Sequence, residues 1–251
     1  MNVRLQNFRS KFNTFRRQAL LLAFVALIAV FVLWNVPQLG FLLYPIRLFV
    51  TFVHEGGHSL VALLTGGHVS AFVVNADGSG FARTTGNFLL ILPAGYLGAA
   101  FFGAALFYIV NTVPFTRAIS MLVGGGLVLA TLITLLFASI NTTAFIVGVI
   151  FGLLLIGLGW KVRRDVNMIV LDVLAMLAGL NAVLDLLYLV SNDSASLGSV
   201  RNDAAAFSNL ITPILPGAVW AFVWAAIAVI MLGMAVYWSV IHPLRQRDTL
   251  E

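Results

Sequence analysis

The 251-residue sequence contains no cysteine, and only 9% of its residues are charged. The absence of cysteine excludes disulfide frameworks, thiolate zinc sites and cysteine nucleophiles. Soluble globular domains carry about 25% charged residues, so the low charge excludes an ordinary water-soluble enzyme. The chain is instead 61% hydrophobic, with 20 phenylalanines, which also excludes a disordered chain. This composition predicts an integral, multi-pass membrane protein.

Seven hydrophobic segments are candidates to cross a bilayer, which takes about 20 mainly apolar residues. We expect them to be helices, because backbone polar groups in lipid must be satisfied within the protein. The predicted fold is an all-α polytopic membrane protein with about six to seven transmembrane helices, forming a single domain over residues 1–251. The segments are 19–36, 41–64, 87–110, 118–138, 143–160, 168–190 and 217–241.

Basic residues form three clusters beside these segments, in the N-terminal 18 residues, at Lys161–Arg164 and at Arg245–Arg247. The positive-inside rule predicts that such clusters, and hence the N-terminus, are cytoplasmic, and this distribution is not that of a nucleic-acid-binding face. Seven full crossings cannot place all three clusters on one side. The conflict disappears if one segment, such as the polar segment 41–64, is re-entrant or crosses only part of the bilayer, so the exact topology stays open.

Two stretches between the apolar segments have a different character. Residues 66–86 predict a short β-hairpin, because the alternating Val69, Ala71 and Val73 precede the turn signal Asp77-Gly78. Residues 191–216 are rich in Ser, Asn and Asp and predict a polar loop in contact with water.

The segment 41–64 contains the motif His54-Glu55-Gly56-Gly57-His58, an HExxH pattern. Residues four apart lie on one face of a helix, so both imidazoles can reach a single metal ion. The glutamate between them is then placed as the general base for water, and zinc is the metal that suits such ligands. Ionisable residues inside an apolar segment are costly and indicate function. We therefore predict a zinc site with Glu55 as the catalytic base.

The third metal ligand must be sought among the acids and the remaining histidines, because the chain has no cysteine. Only Asp172 and Asp185 lie inside hydrophobic segments, and the other acids outside the motif lie in flanks or loops. Asp172 is close to the basic cluster at the start of its segment, whereas Asp185 is deep within it. We therefore predict Asp185 as the third ligand, with Asp172 as the alternative. Asn181, four residues earlier on the same face, is predicted to hold the carboxylate in place or to donate to an oxyanion.

The motif and the sequence around it resemble the site-2 protease family of intramembrane zinc metalloproteases, and most of all its compact peptidase M50B-like branch. The resemblance covers Phe52–Gly103 and implies that a distant aspartate completes a zinc site. The implied zinc ligands are His54, His58 and Asp185, with Glu55 activating water. Three stretches carry the likeness: His54–Gly67, Asp77–Gly80 and Pro93–Gly98.

The expected function is zinc-dependent hydrolysis of a peptide bond, in or near the bilayer, in a membrane-protein or peptide substrate. The hairpin edge at Val69, Ala71 and Val73 is the candidate strand for pairing with an extended substrate segment. The alternative is a non-proteolytic scaffold or binding protein of the same fold, although binding alone would not require the motif glutamate. Short loops favour a bacterial inner membrane, and plastid membranes, which also host relatives of this type, are the other possibility.

Overall fold

The computed structural model describes residues 18–19, 21–33, 35–191, 196–197, 200–211 and 214–243. The helices are α1 Leu21–Leu33, α2 Gly40–Leu64, α3 Phe88–Thr112, α4 Thr116–Phe137, α5 Thr142–Lys161, α6 Arg164–Ser191, α7 Asp203–Ile211 and α8 Gly217–Val236, which a π-helical turn extends to Ile241. The strands are β1 His68–Val74, β2 Gly80–Thr85, β3 Ser139–Ile140, β4 Ser196–Leu197 and β5 Val200–Arg201.

Five of the described helices are long and apolar enough to cross a membrane, namely α3, α4, α5, α6 and α8 with its π-helical extension. Helix α1 is a shorter apolar helix. Together they confirm the predicted fold class, a mainly helical multi-pass membrane protein with a hairpin after the HExxH helix. Helix α2 has 25 residues but carries the polar motif, and it is not among these five.

The predicted hairpin is present and belongs to a three-stranded sheet of order β2-β1-β3. Strand β2 is antiparallel to β1, and β3 is parallel to it. The turn depends on Gly78, whose φ of +89° favours glycine, and on Asp77, whose carboxylate accepts hydrogen bonds from the amide and hydroxyl of Ser79. Since β1 is the central strand, β2 lies at one edge of the sheet.

Helix α3 occupies the centre of the bundle and packs against α2, α6 and α8. Small residues allow the close approach: a Cβ atom at Gly57 would lie 2.2 Å from the Ala94 carbonyl oxygen, and one at Gly103 would lie 2.6 Å from the Ala175 carbonyl oxygen. Contacts of this kind between small residues are the usual basis of helix packing in membranes. They bring the motif helix α2 directly against α3.

The segment 191–216, predicted as a polar loop, contains helix α7. This helix packs against α3 and α8. The Phe207 ring contacts the rings of Trp220 and Trp224 edge-on, with centroid distances of 4.9 and 5.2 Å. Aromatic burial therefore fixes α7 to the bundle despite the polar composition around it.

Candidate metal centre

Helix α2 positions all three reactive side chains of the HExxH motif. Its motif face turns inward, so Glu55 is 4% exposed, while the His54 and His58 side chains are 17% and 7% exposed. The one-turn spacing places the Nε2 atoms of the two histidines 3.1 Å apart. The helix thus presents two imidazole nitrogens toward one point, as the motif predicts.

Helix α3 passes this pair of imidazoles at Gly95. A Cβ atom built on Gly95 would lie 2.4 Å from the Nε2 atom of His54 and 2.4 Å from that of His58. This is well inside van der Waals contact, so any larger residue would displace the two nitrogens. The ring of the next residue, Tyr96, lies edge-on against His54 with a centroid distance of 4.4 Å.

A hydrogen bond determines the proton position on His58. Its Nδ1 atom lies 2.7 Å from the carbonyl oxygen of Ile91 in α3. A carbonyl can only accept, so we assign the proton to Nδ1, where it donates to Ile91. In the neutral imidazole this leaves a lone pair on Nε2, which is the arrangement found in metal-binding histidines.

Asp203, the first residue of α7, completes the group. One of its carboxylate oxygens, Oδ2, lies 3.2 Å from the Nε2 atom of His54 and 3.2 Å from that of His58. Helix α7 is capped by Asn202, whose side-chain oxygen accepts a hydrogen bond from the Ala205 amide at 2.8 Å. An aspartate in the first turn also interacts favourably with the helix dipole.

The charge state of Asp203 suits a metal ligand. Burial on its own would raise the pKa of this carboxyl group. The neighbouring charges of His58 and His54, and their hydrogen bonds, outweigh burial and hold the pKa well below its usual range. Asp203 is therefore ionised at neutral pH, the state in which a carboxylate binds a metal ion.

The three donor atoms fit a zinc ion. Ligands about 2.0–2.1 Å from a tetrahedral zinc ion lie about 3.3 Å from one another, and the three separations here are 3.1, 3.2 and 3.2 Å. The three donor atoms belong to His54, His58 and Asp203. Among the described residues, these are the His and acidic side chains that form a group able to hold a metal ion.

Glu55 lies between the metal group and the sheet. Its carboxyl group is close to the backbone amide of Ala82 in β2, and a Cβ atom at Gly80 would lie 3.0 Å from its Oε1 atom. The Ala82 residue pairs with Phe72 of β1 on the other side of the strand. The other edge of β2, which has no partner strand among the described residues, therefore faces the candidate base.

A cavity of about 660 Å³ joins these groups. Its walls come from α2, the hairpin, α3, α6 and the start of α7. They include the metal group and Glu55, five consecutive residues of β2, and polar side chains of α6. The lining residues include Arg47, His54, Glu55, His58, Gly80, Ala82, Tyr96, Asn181, Asp185, Tyr188 and Asp203.

The structure does not bring Asp185 or Asp172 into the metal group. Asp185 lies on the cavity wall, where its Oδ2 atom accepts a hydrogen bond from the Asn181 side chain at 2.7 Å. Asp172 is completely buried elsewhere, where it accepts a hydrogen bond from Asn111 of α3 at 2.7 Å. The acid that meets the histidines is Asp203, which lies in the predicted polar loop and is not among the predicted ligands.

The proposed substrate strand is also placed differently. Val69, Ala71 and Val73 lie on the central strand β1, and the backbone of Ala71 has partners in both β2 and β3. The sheet edge that lines the cavity is β2.

Local signals for Asp203 do exist in the sequence. Asn202 is a favourable N-cap residue, and Asp203 with the apolar Ala204–Phe207 behind it is typical of a helix start. No local pattern indicates that this helix start faces His54, which is 149 residues away along the chain.

The fold and the site together define the class: a membrane protein in which an HExxH helix and a distant aspartate form a candidate metallopeptidase centre. A family model described as Peptidase M50B-like matches residues 23–235. The chain therefore belongs to the Peptidase M50B-like family, as the sequence resemblance predicted. Membership implies a zinc-dependent metallopeptidase and a membrane substrate. No curated protein and no solved structure gave a match.

Proposed function

We propose that this protein is a zinc-dependent intramembrane endopeptidase. The observation that carries the proposal is the convergence of His54, His58 and Asp203 within 3.2 Å of one another, beside a buried glutamate and inside a cavity among membrane-spanning helices. This is a donor set of two imidazoles and one carboxylate, which is typical of catalytic zinc centres with an open position.

The two histidines and Asp203 hold the metal, and Gly95 leaves room for their nitrogens. Zinc bound there would lower the pKa of a water molecule toward about 7 and polarise the scissile carbonyl group. Glu55 accepts the proton of the attacking water and later returns it to the leaving amine. The Ile91 carbonyl keeps the His58 proton on Nδ1 and so keeps Nε2 available as a ligand.

The free edge of β2 binds the substrate in an extended conformation. A peptide bond within a helix is inaccessible to a nucleophile, so the substrate segment must unwind and its backbone groups need new partners. Strand addition to a sheet edge supplies them. Residues Gly80 and Ala82 face Glu55, so a strand bound there passes directly across the candidate centre.

Cleavage of single-span reporter proteins with varied transmembrane segments, in detergent or liposomes, tests the proposal. The wild type should cleave a subset, and Glu55→Gln should cleave none while keeping its zinc, because the substitution removes only the base. Cleavage by Glu55→Gln at the wild-type rate would contradict the proposal. If the zinc-loaded wild type binds reporters and cleaves none, the non-proteolytic alternative is correct.

A further inference from the structure

Asp185 is an acidic residue on the cavity wall that the proposed chemistry does not use. It lies in the membrane-spanning helix α6, and its side chain is exposed to the cavity together with those of Asn181 and Tyr188. The Asn181 amide donates a hydrogen bond to its Oδ2 atom at 2.7 Å. This contact fixes the direction of the carboxylate and leaves Oδ1 for another partner.

The carboxylate of Asp185 lacks a close counter-ion within the part of the chain that the structure describes. Among the described residues, no Lys, Arg or His side chain comes within 4.0 Å of its carboxylate. The arginines that line the same cavity are Arg47 and Arg83. The Arg47 stem is placed against the hairpin turn, since a Cβ atom at Gly78 would lie 2.5 Å from the Arg47 Cδ atom.

An acidic residue within a membrane span is costly and normally has a partner. Here the carboxylate faces a cavity that receives substrate under the proposed function, on which this inference depends. We propose that Asp185, oriented by Asn181, is a specificity-determining residue that receives a lysine or arginine side chain of the substrate. Because Asp185 and the candidate metal group line the same cavity, that side chain belongs to a residue close to the scissile bond.

Peptide binding tests this without depending on turnover. The probes are apolar synthetic peptides of about 20 residues that carry a single lysine at successive central positions, with matched methionine and glutamate peptides. They are titrated into the zinc-loaded Glu55→Gln protein and into the same protein with Asp185→Asn. At one or two positions, the lysine peptide should bind about tenfold more tightly than the methionine peptide, as expected for a charge-assisted hydrogen bond, and glutamate should bind least.

The preference should disappear in the Asp185→Asn background and persist in an Asp165→Asn background. Asp165 is a half-buried acid on the same helix, paired with Arg163 at 3.8 Å and outside the cavity, so it controls for the change in charge. An unchanged lysine preference in Asp185→Asn would overturn the inference. Loss of zinc in Asp185→Asn would overturn it as well, because Asp185 would then be a metal ligand.

Turnover gives an independent readout. Asp185→Asn should reduce kcat/KM for lysine-containing peptides and leave the methionine peptides unchanged. An equal loss of kcat/KM for the lysine and methionine peptides would indicate that Asp185 interacts with the leaving amine. That result would overturn the specificity role. Absence of all cleavage by the wild type, with the lysine preference in binding intact, would refute the peptidase proposal and leave the cation-binding site standing.

Discussion

Replacing Gly95 with alanine should abolish high-affinity zinc binding without unfolding the protein. The added Cβ atom would lie 2.4 Å from the Nε2 atoms of both His54 and His58. Ordinary contacts of such atoms begin at 3.4 Å, so the two nitrogens or the α3 backbone must move by about 1 Å. Zinc sites tolerate deviations of about 0.2 Å in ligand distance.

The expected loss of zinc affinity in Gly95→Ala can be estimated from these distances. Changes that disturb metal ligands only indirectly reduce metal affinity by about 10- to 100-fold. A direct displacement of two ligands by about 1 Å should cost about 100-fold or more, which corresponds to about 2.7 kcal/mol of binding free energy. The rest of α3 should be unaffected, since alanine is the best helix former.

Competition with a zinc chelator measures the dissociation constant of the purified protein. Gly56→Ala is the matched control, because it lies in the motif itself and its added Cβ would meet nothing within 4 Å. It should bind zinc like the wild type, and circular dichroism should show that both variants remain helical. Wild-type zinc affinity in a folded Gly95→Ala protein would refute the geometry of the centre.

Three further effects are expected. Phe207→Ala removes the ring that packs against Trp224, so it should destabilise the docking of α7 by about 3–5 kcal/mol and weaken zinc binding. An unchanged zinc affinity in a titration would contradict that docking. Asn141→Ala removes the cap of α5 and two hydrogen bonds to the Val74 backbone, so the free energy of unfolding should fall by about 2–3 kcal/mol. An unchanged denaturation midpoint would show that these bonds are dispensable. Removing zinc with a chelator should lower the Tm, because a ligand at about 1,000 times its Kd stabilises the folded state by about 4 kcal/mol. An unchanged Tm would argue against a bound metal.

Much of the fold could be predicted because its determinants are local. The length of an apolar run is enough to predict a membrane-spanning helix. The one-turn spacing of His54 and His58 predicts that both side chains lie on the same face of their helix. The hairpin turn depends on two adjacent residues, Asp77 and Gly78. Each of these patterns acts within a few residues and does not require knowledge of the packing.

The strand alternation predicted for the hairpin holds only in part. A register shift lies between Val69 and Ala71, and beyond it the buried side chains are Phe72 and Val74. A bulge moves the buried face by one residue. Its position depends on how β1 packs against neighbouring elements, so alternation alone does not predict it.

The position of Asp203 beside the two histidines could not be predicted because it depends on tertiary packing. The cost of a buried charge favours Asp185 as the third ligand, because it lies in a span. That cost is reduced here because the side chain faces a polar cavity. Asp203 is in a segment of polar composition, and the packing of α7 against α3 and α8, with Phe207 at the α8 contact, brings it to the histidines.

The most direct test of the account is the zinc content of the purified wild type, Asp203→Ala and Asp185→Asn. We expect one zinc ion per chain in the wild type and in Asp185→Asn, and none in Asp203→Ala, because Asp203 is the acid that contacts both histidines within the described parts of the chain. Zinc retained in Asp203→Ala but lost from Asp185→Asn would contradict the proposed centre and identify Asp185 as the third ligand.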